Sequence, residues 1–216
     1  MKITCLSDSH NKHKYIDTRA FKDSTIVIHA GDFTSNGNLE QTKSFLTWYS
    51  SLNVPYKILV AGNHDFKAAS ITFDEVLAQF PNIIYLYNSD VTINGIKIWG
   101  SPFSNTFGQW AFMKDDEDLS KIWKTIPADT DIVVTHGPAY GIGDKVQNAY
   151  GRDPNVGSVS LYNKLAKLPK LELHVTGHIH ESYALYIGKW TTINASICDL
   201  SYVPCNQPIS VHMEGK

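Results

Sequence analysis

Residues 171–182 read LELHVTGHIHES. Leu171 and Leu173 stand at alternate positions, as the core-facing residues of a strand do. The run then ends in Gly177 and two imidazoles, His178 and His180, one residue apart. A polar turn is the plain reading of this ending, and half of a metal site is the sharper one. The same ending recurs elsewhere in the chain. KITCLSDSH (2–10) closes on Asp8 and His10, TIVIHAGD (25–32) on Gly31 and Asp32, YKILVAGNHD (56–65) on Asn63, His64 and Asp65, and DIVVTHG (131–137) on His136. Polar residues at the carboxyl ends of parallel strands converge on one crevice in an open α/β sheet. The 171–182 stretch is therefore one of a series of similar strand ends.

Working outward, short apolar and β-branched runs recur at 2–6, 25–30, 56–61, 82–86, 91–100, 131–135, 171–176, 190–195 and 208–213. Runs this continuous suit strands buried on both faces or in a sandwich core. Helical patterns lie between several of them. NLEQTKSFLTWYSSL puts Leu39, Phe45, Leu46 and Tyr49 in helical register behind Asn38 as cap, SVSLYNKLAKL has Ser158 as cap, and FDEVLAQF and DEDLSKIWKTI are shorter. Strands alternating with helices predict an α/β protein. The second half is richer in strands, which predicts a second, partly antiparallel sheet. At 216 residues with 43% apolar content, the chain is expected to be a single domain spanning 1–216.

A formal charge of −2 provides no global field toward nucleic acid or a membrane. No apolar run approaches the roughly 20 residues of a membrane span, and Asp8 falls too early for a secretory apolar segment, so a cytoplasmic location is expected. Cys5, Cys198 and Cys205 form no CxxC pair and argue against a disulfide framework. Cys5 reads as a small core residue.

Carboxylates and neutral imidazoles with one amide oxygen suit borderline divalent cations: Mn, Fe, Zn or Ni. The ligands outnumber what one ion uses, so two divalent metal ions are the natural count. Asp8-Ser9-His10, Gly31-Asp32, Gly62-Asn63-His64-Asp65, His136-Gly137 and Gly177-His178-Ile179-His180 stand in this order. In that series the sequence resembles the calcineurin-like metallophosphoesterase superfamily, whose motifs run DxH, GD, GNH with a following acid, a distal His, and GHxH. HAGDFT, GSPF, WAF, THGPAYG, GHIHESY and INAS are similar to the small metallophosphoesterase-domain branch, itself similar to class III cyclic-nucleotide phosphodiesterases.

The resemblance implies two mixed β-sheets packed as a sandwich with helices outside, in an αββα arrangement. It implies that Asp8, His10 and His180 hold one metal, Asn63, His136 and His178 the other, and Asp32 both. It gives His64 the role of phosphate contact and proton donor to the leaving oxygen, with Asp65 orienting His64 and fixing its tautomer. The expected activity is metal-dependent phosphoester hydrolysis by attack of a metal-bridging hydroxide, with Mn favoured and a small phosphodiester such as a cyclic nucleotide as substrate. A phosphomonoesterase (including a protein phosphatase), a nuclease and a non-catalytic scaffold on the same fold are the alternatives. Long nucleic acid is disfavoured by the charge balance, and the intact ligand series counts against a scaffold.

The remaining polar and aromatic residues have plainer readings. His29 is expected to be buried and hydrogen-bonded, or to support a ligand. His174 packs within its strand, and His13 and His212 are surface or strand histidines. KDDED (114–118) reads as a solvated helix start. Phe107, Trp110 and Phe112 either stack on a base or form a small core beneath their loop. Arg152, in the long loop after His136, is a candidate phosphate contact.

Overall fold

The computed structural model describes residues 1–147 and 154–214. The predicted strands form, and three short ones join them. In chain order they are β1 (Lys2–Leu6), β2 (Ile26–Ala30), β3 (Tyr56–Val60), β4 (Ile83–Tyr85), β5 (Ser89–Ile93), β6 (Ile96–Ser101), β7 (Ser104–Asn105), β8 (Met113–Lys114), β9 (Ile132–Thr135), β10 (Leu173–Thr176), β11 (Ala184–Ile187), β12 (Thr191–Asn194) and β13 (Ile209–His212). The α-helices are α1 (Leu39–Ser51), α2 (Phe73–Leu77), α3 (Asp116–Trp123) and α4 (Val159–Leu165). The caps fall where the sequence places them: Asn38 accepts from Gln41 N and Ser158 from Leu161 N.

The strands make two mixed sheets. One is ordered β13-β1-β2-β3-β4 and the other β11-β12-β10-β9-β6-β5, with a small β7-β8 pair beside them. The inner strands of both run parallel, and the antiparallel pairs are β13 on β1, β11 on β12 and β5 on β6. Alternate side chains of each strand take opposite faces. Ile3, Cys5, Ile26, Ile28, Ile58 and Val60 of the first sheet join Ile98, Ile132, Val134, Leu173, Val175 and Ile193 of the second in one buried hydrocarbon layer. The other faces pack on helices. Phe45 and Tyr49 of α1 lie in one cluster with Val27 and Leu59, and the Tyr49 hydroxyl donates to the carbonyls of Val27 and Ile58. On the second sheet Trp99 meets Trp123 of α3 edge to face, and the Trp123 indole donates to Ser158 at the start of α4. This is the αββα layering that the family resemblance implies.

Three local expectations are revised, and one strand of the second sheet is new. His13 is fully buried rather than on the surface, set edge-on to Phe45 and beside Trp48, with Ser44 within hydrogen-bond distance of its Nε2. Leu39 is exposed despite its helical register, because it starts α1 outside the buried stripe. The KDDED run is not wholly solvated: Asp116 accepts from Ser158 Oγ and from the amide of Ser160, tying α3 to α4. Strand β11, ALYI, escapes a sequence reading because its residues alternate between intermediate and exposed, as at a sheet edge. Arg152 lies outside the described residues. Cys5, Cys198 and Cys205 are free thiols, the first two buried. No helix among the described residues is long and apolar enough to cross a membrane.

Candidate metal centre

The turns that follow β1, β2 and β3 in one sheet, and β9 and β10 in the other, meet at one edge of the sandwich. An isolated parallel bridge from Ser7 to Ser196 joins the sheets there. The backbone is forced into unusual conformations at this edge. Asp8, His10, Asp32 and His178 have φ of 50°, 40°, 55° and 69°, a left-handed region that side-chain-bearing residues rarely enter and that persists where surrounding contacts over-determine it. The glycine endings have a steric origin as well. A Cβ on Gly177 would lie 2.0 Å from Asp8 Oδ2, and one on Gly31, at φ +100°, would lie 2.5 Å from His136 Nδ1.

All the expected ligands converge. His10 Nε2 is 3.1 Å from His180 Nε2 and 3.9 Å from both Asp8 Oδ1 and Asp32 Oδ2. His180 Nε2 is 3.2 Å from Asp8 Oδ1. On the other side His136 Nε2 is 3.3 Å from Asp32 Oδ2 and 2.9 Å from Asn63 Oδ1. Donor atoms of Asp8, His10 and His180 form one group that could hold an ion, and those of Asp32, His136 and His178 form another. A third group, of His10, Asp32 and His64, overlaps the first two and places His64 at their border.

The hydrogen bonds fix which atoms face inward. His136 Nδ1 donates to the Ala30 carbonyl at 2.9 Å and His180 Nδ1 to the Asp199 carbonyl at 2.8 Å. Each Nε2 is left as a lone pair pointing at carboxylate, amide oxygen or another imidazole. Packed in this way, the donors repel one another unless positive charge sits among them. Without a metal only protons can supply it. Burial opposes the charged imidazole, yet Asp32 raises His136 to about 9 and Asp8 raises His180 to about 9. Burial pushes His10 down to about 4 and His178 to about 3. Two carboxylates, an amide oxygen and four imidazoles without a thiolate fit a pair of borderline divalent cations. Donor separations of about 3 Å are those expected around an ion with bonds of about 2.1 Å.

Supporting contacts hold these ligands. Asp8 accepts from Ser7 Oγ at 2.5 Å, Ser196 Oγ at 3.0 Å and the His178 amide. Asn194 is buried and saturated. Its amide donates to the carbonyls of Gly143, Gly177 and Ile179, and its oxygen accepts from Ser196. It thereby pins the turn that carries His178 and His180. Ser9 Oγ lies 3.1 Å from His29 Nε2, which makes His29 a buried support behind the site. His174 pairs with Thr135 Oγ1 inside the sheet.

The expected contact between Asp65 and His64 is not made. His64 Nδ1 donates to the Ser35 carbonyl at 2.7 Å, so a main-chain oxygen fixes its tautomer. Asp65 instead accepts from the amides of Phe33, Thr34 and Gly62 and from Thr34 Oγ1. Its job is to clamp the turns after β2 and β3 together. With both carboxylate oxygens facing donors, Asp65→Asn must turn an NH2 toward two of them. A loss of about 2–3 kcal/mol is expected, or a fall of about 4–12 °C in Tm for a chain of this size. An unchanged calorimetric melting temperature would refute the clamp.

Aromatic residues border the cleft. Trp110 lies 4.4 Å from the His64 ring, Phe107 lies 5.3 Å from His178, and Tyr202 meets His10 edge-on at 4.7 Å. Phe112 is instead core, against Phe103. Tyr202 is absent from any motif reading, and its positive φ of 58° is visible only in the fold.

Residues 1–182 match the family of calcineurin-like phosphoesterases. Metallophosphoesterase domain-containing protein 1 of Homo sapiens is 34% identical over 236 residues, covering 98% of this chain and 71% of that protein. Among solved structures, a protein of Thermus thermophilus superposes with a TM-score of 0.64 at 13% identity, over 93% of this chain and 90% of the other. The phosphopantetheinyl hydrolase of Mycobacterium tuberculosis does so with a TM-score of 0.61 at 11% identity, over 96% and 95%. These two likenesses are of fold.

Proposed function

The chain belongs to the calcineurin-like phosphoesterase family, and from that premise we propose that it is a two-metal hydrolase of small phosphodiesters, cyclic nucleotides among them, working with Mn²⁺ in the cytoplasm. The observation that carries this reading is the convergence of the ligand series on one cleft with His64 at the border of both donor groups. In the proposed site Asp8, His10 and His180 would hold one ion, Asn63, His136 and His178 the other, and Asp32 would serve both. Bound ions of this kind polarise phosphoryl oxygens and lower the pKa of solvent toward neutrality. The protein's own groups do the rest. With Nδ1 held on Ser35, His64 keeps Nε2 toward the cleft to carry a proton to the departing alkoxide. Trp110 covers one face of that ring and limits water there.

The diester preference rests on charge. Asp32, Asn63, His64, Phe107, His178, His180, Leu200 and Tyr202 line the cleft, and no lysine or arginine is among these described residues. A monoester dianion has little beyond the ions to neutralise it, whereas a diester carries one charge. The free cysteines agree with a reducing compartment.

The test is a substrate panel with and without chelation. Bis(p-nitrophenyl) phosphate should exceed p-nitrophenyl phosphate in kcat/KM by about tenfold or more. A monoester that outpaces every diester refutes the preference. Dialysis against EDTA should abolish turnover. Each of two ions at 100 times its Kd contributes about 2.7 kcal/mol to stability, so removal of both should lower Tm by about 11–22 °C. A chelated protein that retains both activity and Tm has no such centre.

A further inference from the structure

Beside the cleft lies a second, larger cavity of about 530 Å³. It shares Phe107, His178 and Leu200 with the cleft, so the two are adjacent. Its walls are predominantly apolar: Phe103, Leu119, Trp123, Val146 and Val156 lie beyond the shared residues. Lysine and arginine are missing from these described walls, and the one charged side chain is Glu181, which accepts from the Gln147 amide.

We propose that this cavity is the recess for the uncharged, largely apolar arm of the phosphate ester. This deepens the phosphoesterase reading and rests on it for the position of the phosphate. Concave, mostly apolar cavities with a few placed polar groups are the usual form of small-molecule sites. The occupant follows from the walls. Among the described walls a second phosphate would meet Glu181 and no cation, which disfavours a polyphosphate. A flat or chain-like arm of two rings or more fits within the space, and its phosphate would lie on the side of Phe107 and His178, which border both spaces.

The experiment titrates 2-naphthol, an uncharged stand-in for the arm, into the metal-free protein by calorimetry. Saturable binding is expected, weakened at least tenfold by Val156→Trp, which fills the recess from its rim. Val146→Trp serves if Val156→Trp fails to fold, as judged by its thermal transition. No saturable binding, or binding that neither tryptophan variant affects, overturns the recess. The phosphoesterase reading fails separately. With metal added, p-nitrophenyl diesters bearing a naphthylmethyl or a methyl arm release the same phenolate, and the first should be at least tenfold better in kcat/KM. If naphthol binds as expected and neither ester is cleaved, the recess stands and the hydrolase reading falls.

Discussion

Asp32→Asn should strip both ions from the protein, and the reason lies in how the carboxylate is held. Asp32 Oδ1 accepts the His64 amide at 2.8 Å, and Oδ2 faces His10 and His136. An asparagine must keep its oxygen toward the His64 N–H. Its NH2 then points into the ligand cluster, where it donates and cannot bind a cation. Losing an outer partner of a metal ligand costs about 10–100-fold in affinity. Replacing the shared ligand by an outward-donating amide should cost at least about 100-fold at each ion, with activity falling in step. Elemental analysis after dialysis reads the result directly, and Asn63→Ala, which removes a ligand from one side, should release mainly one ion. Two ions retained by Asp32→Asn at wild-type affinity would mean that Asp32 is not shared.

The second large effect is at His64. His64→Gln keeps a polar side chain of similar reach but cannot transfer a proton. On an alkyl or nucleotide ester it should lose about 10²–10⁴ in kcat, the usual worth of general acid catalysis, while binding both ions. The loss should be far smaller on a nitrophenyl ester, whose leaving group departs without a proton. Equal losses on the two kinds of ester would assign His64 to positioning or charge stabilisation. The rings of Trp110 and Tyr202 near His64 make the ion content and Tm of this variant a necessary accompaniment.

Most of the architecture is legible in the chain because burial on both faces leaves long β-branched runs, and the ligands sit where those runs stop. Strand β11 is not, since an edge strand lacks that signature. The ligand residues are legible because their types and spacing are chemically restrictive. Their supports are less so. Asn194 and Ser196 sit in a run, INAS, that stands out by resemblance alone, and their role emerges only when β12 is paired with β10 and carries Asn194 under the Gly177 turn. The partner of His64 is hidden for a related reason. Asp65 is its neighbour in sequence, but adjacent residues at a turn point apart, and the acceptor comes from Ser35 on a different loop. The bland reading of His13 fails because α1, with Ser44, Phe45 and Trp48, closes over it from a distance that periodicity does not report.

The ligands are divided between the two sheets: Asp8, His10, Asp32 and Asn63 follow strands of one, and His136, His178 and His180 follow strands of the other. The hydrocarbon layer between the sheets is therefore a gauge block for the inorganic chemistry at its rim. Its thickness sets how far apart the two halves of the candidate donor set stand. A methylene added or removed at Ile28 or Val134, both completely buried, alters that spacing without touching a ligand, because close-packed interiors transmit volume changes instead of absorbing them. In the proposed centre, metal selectivity would be partly a property of its grease, and the side chains that tune it would include ones with no polar atom at all.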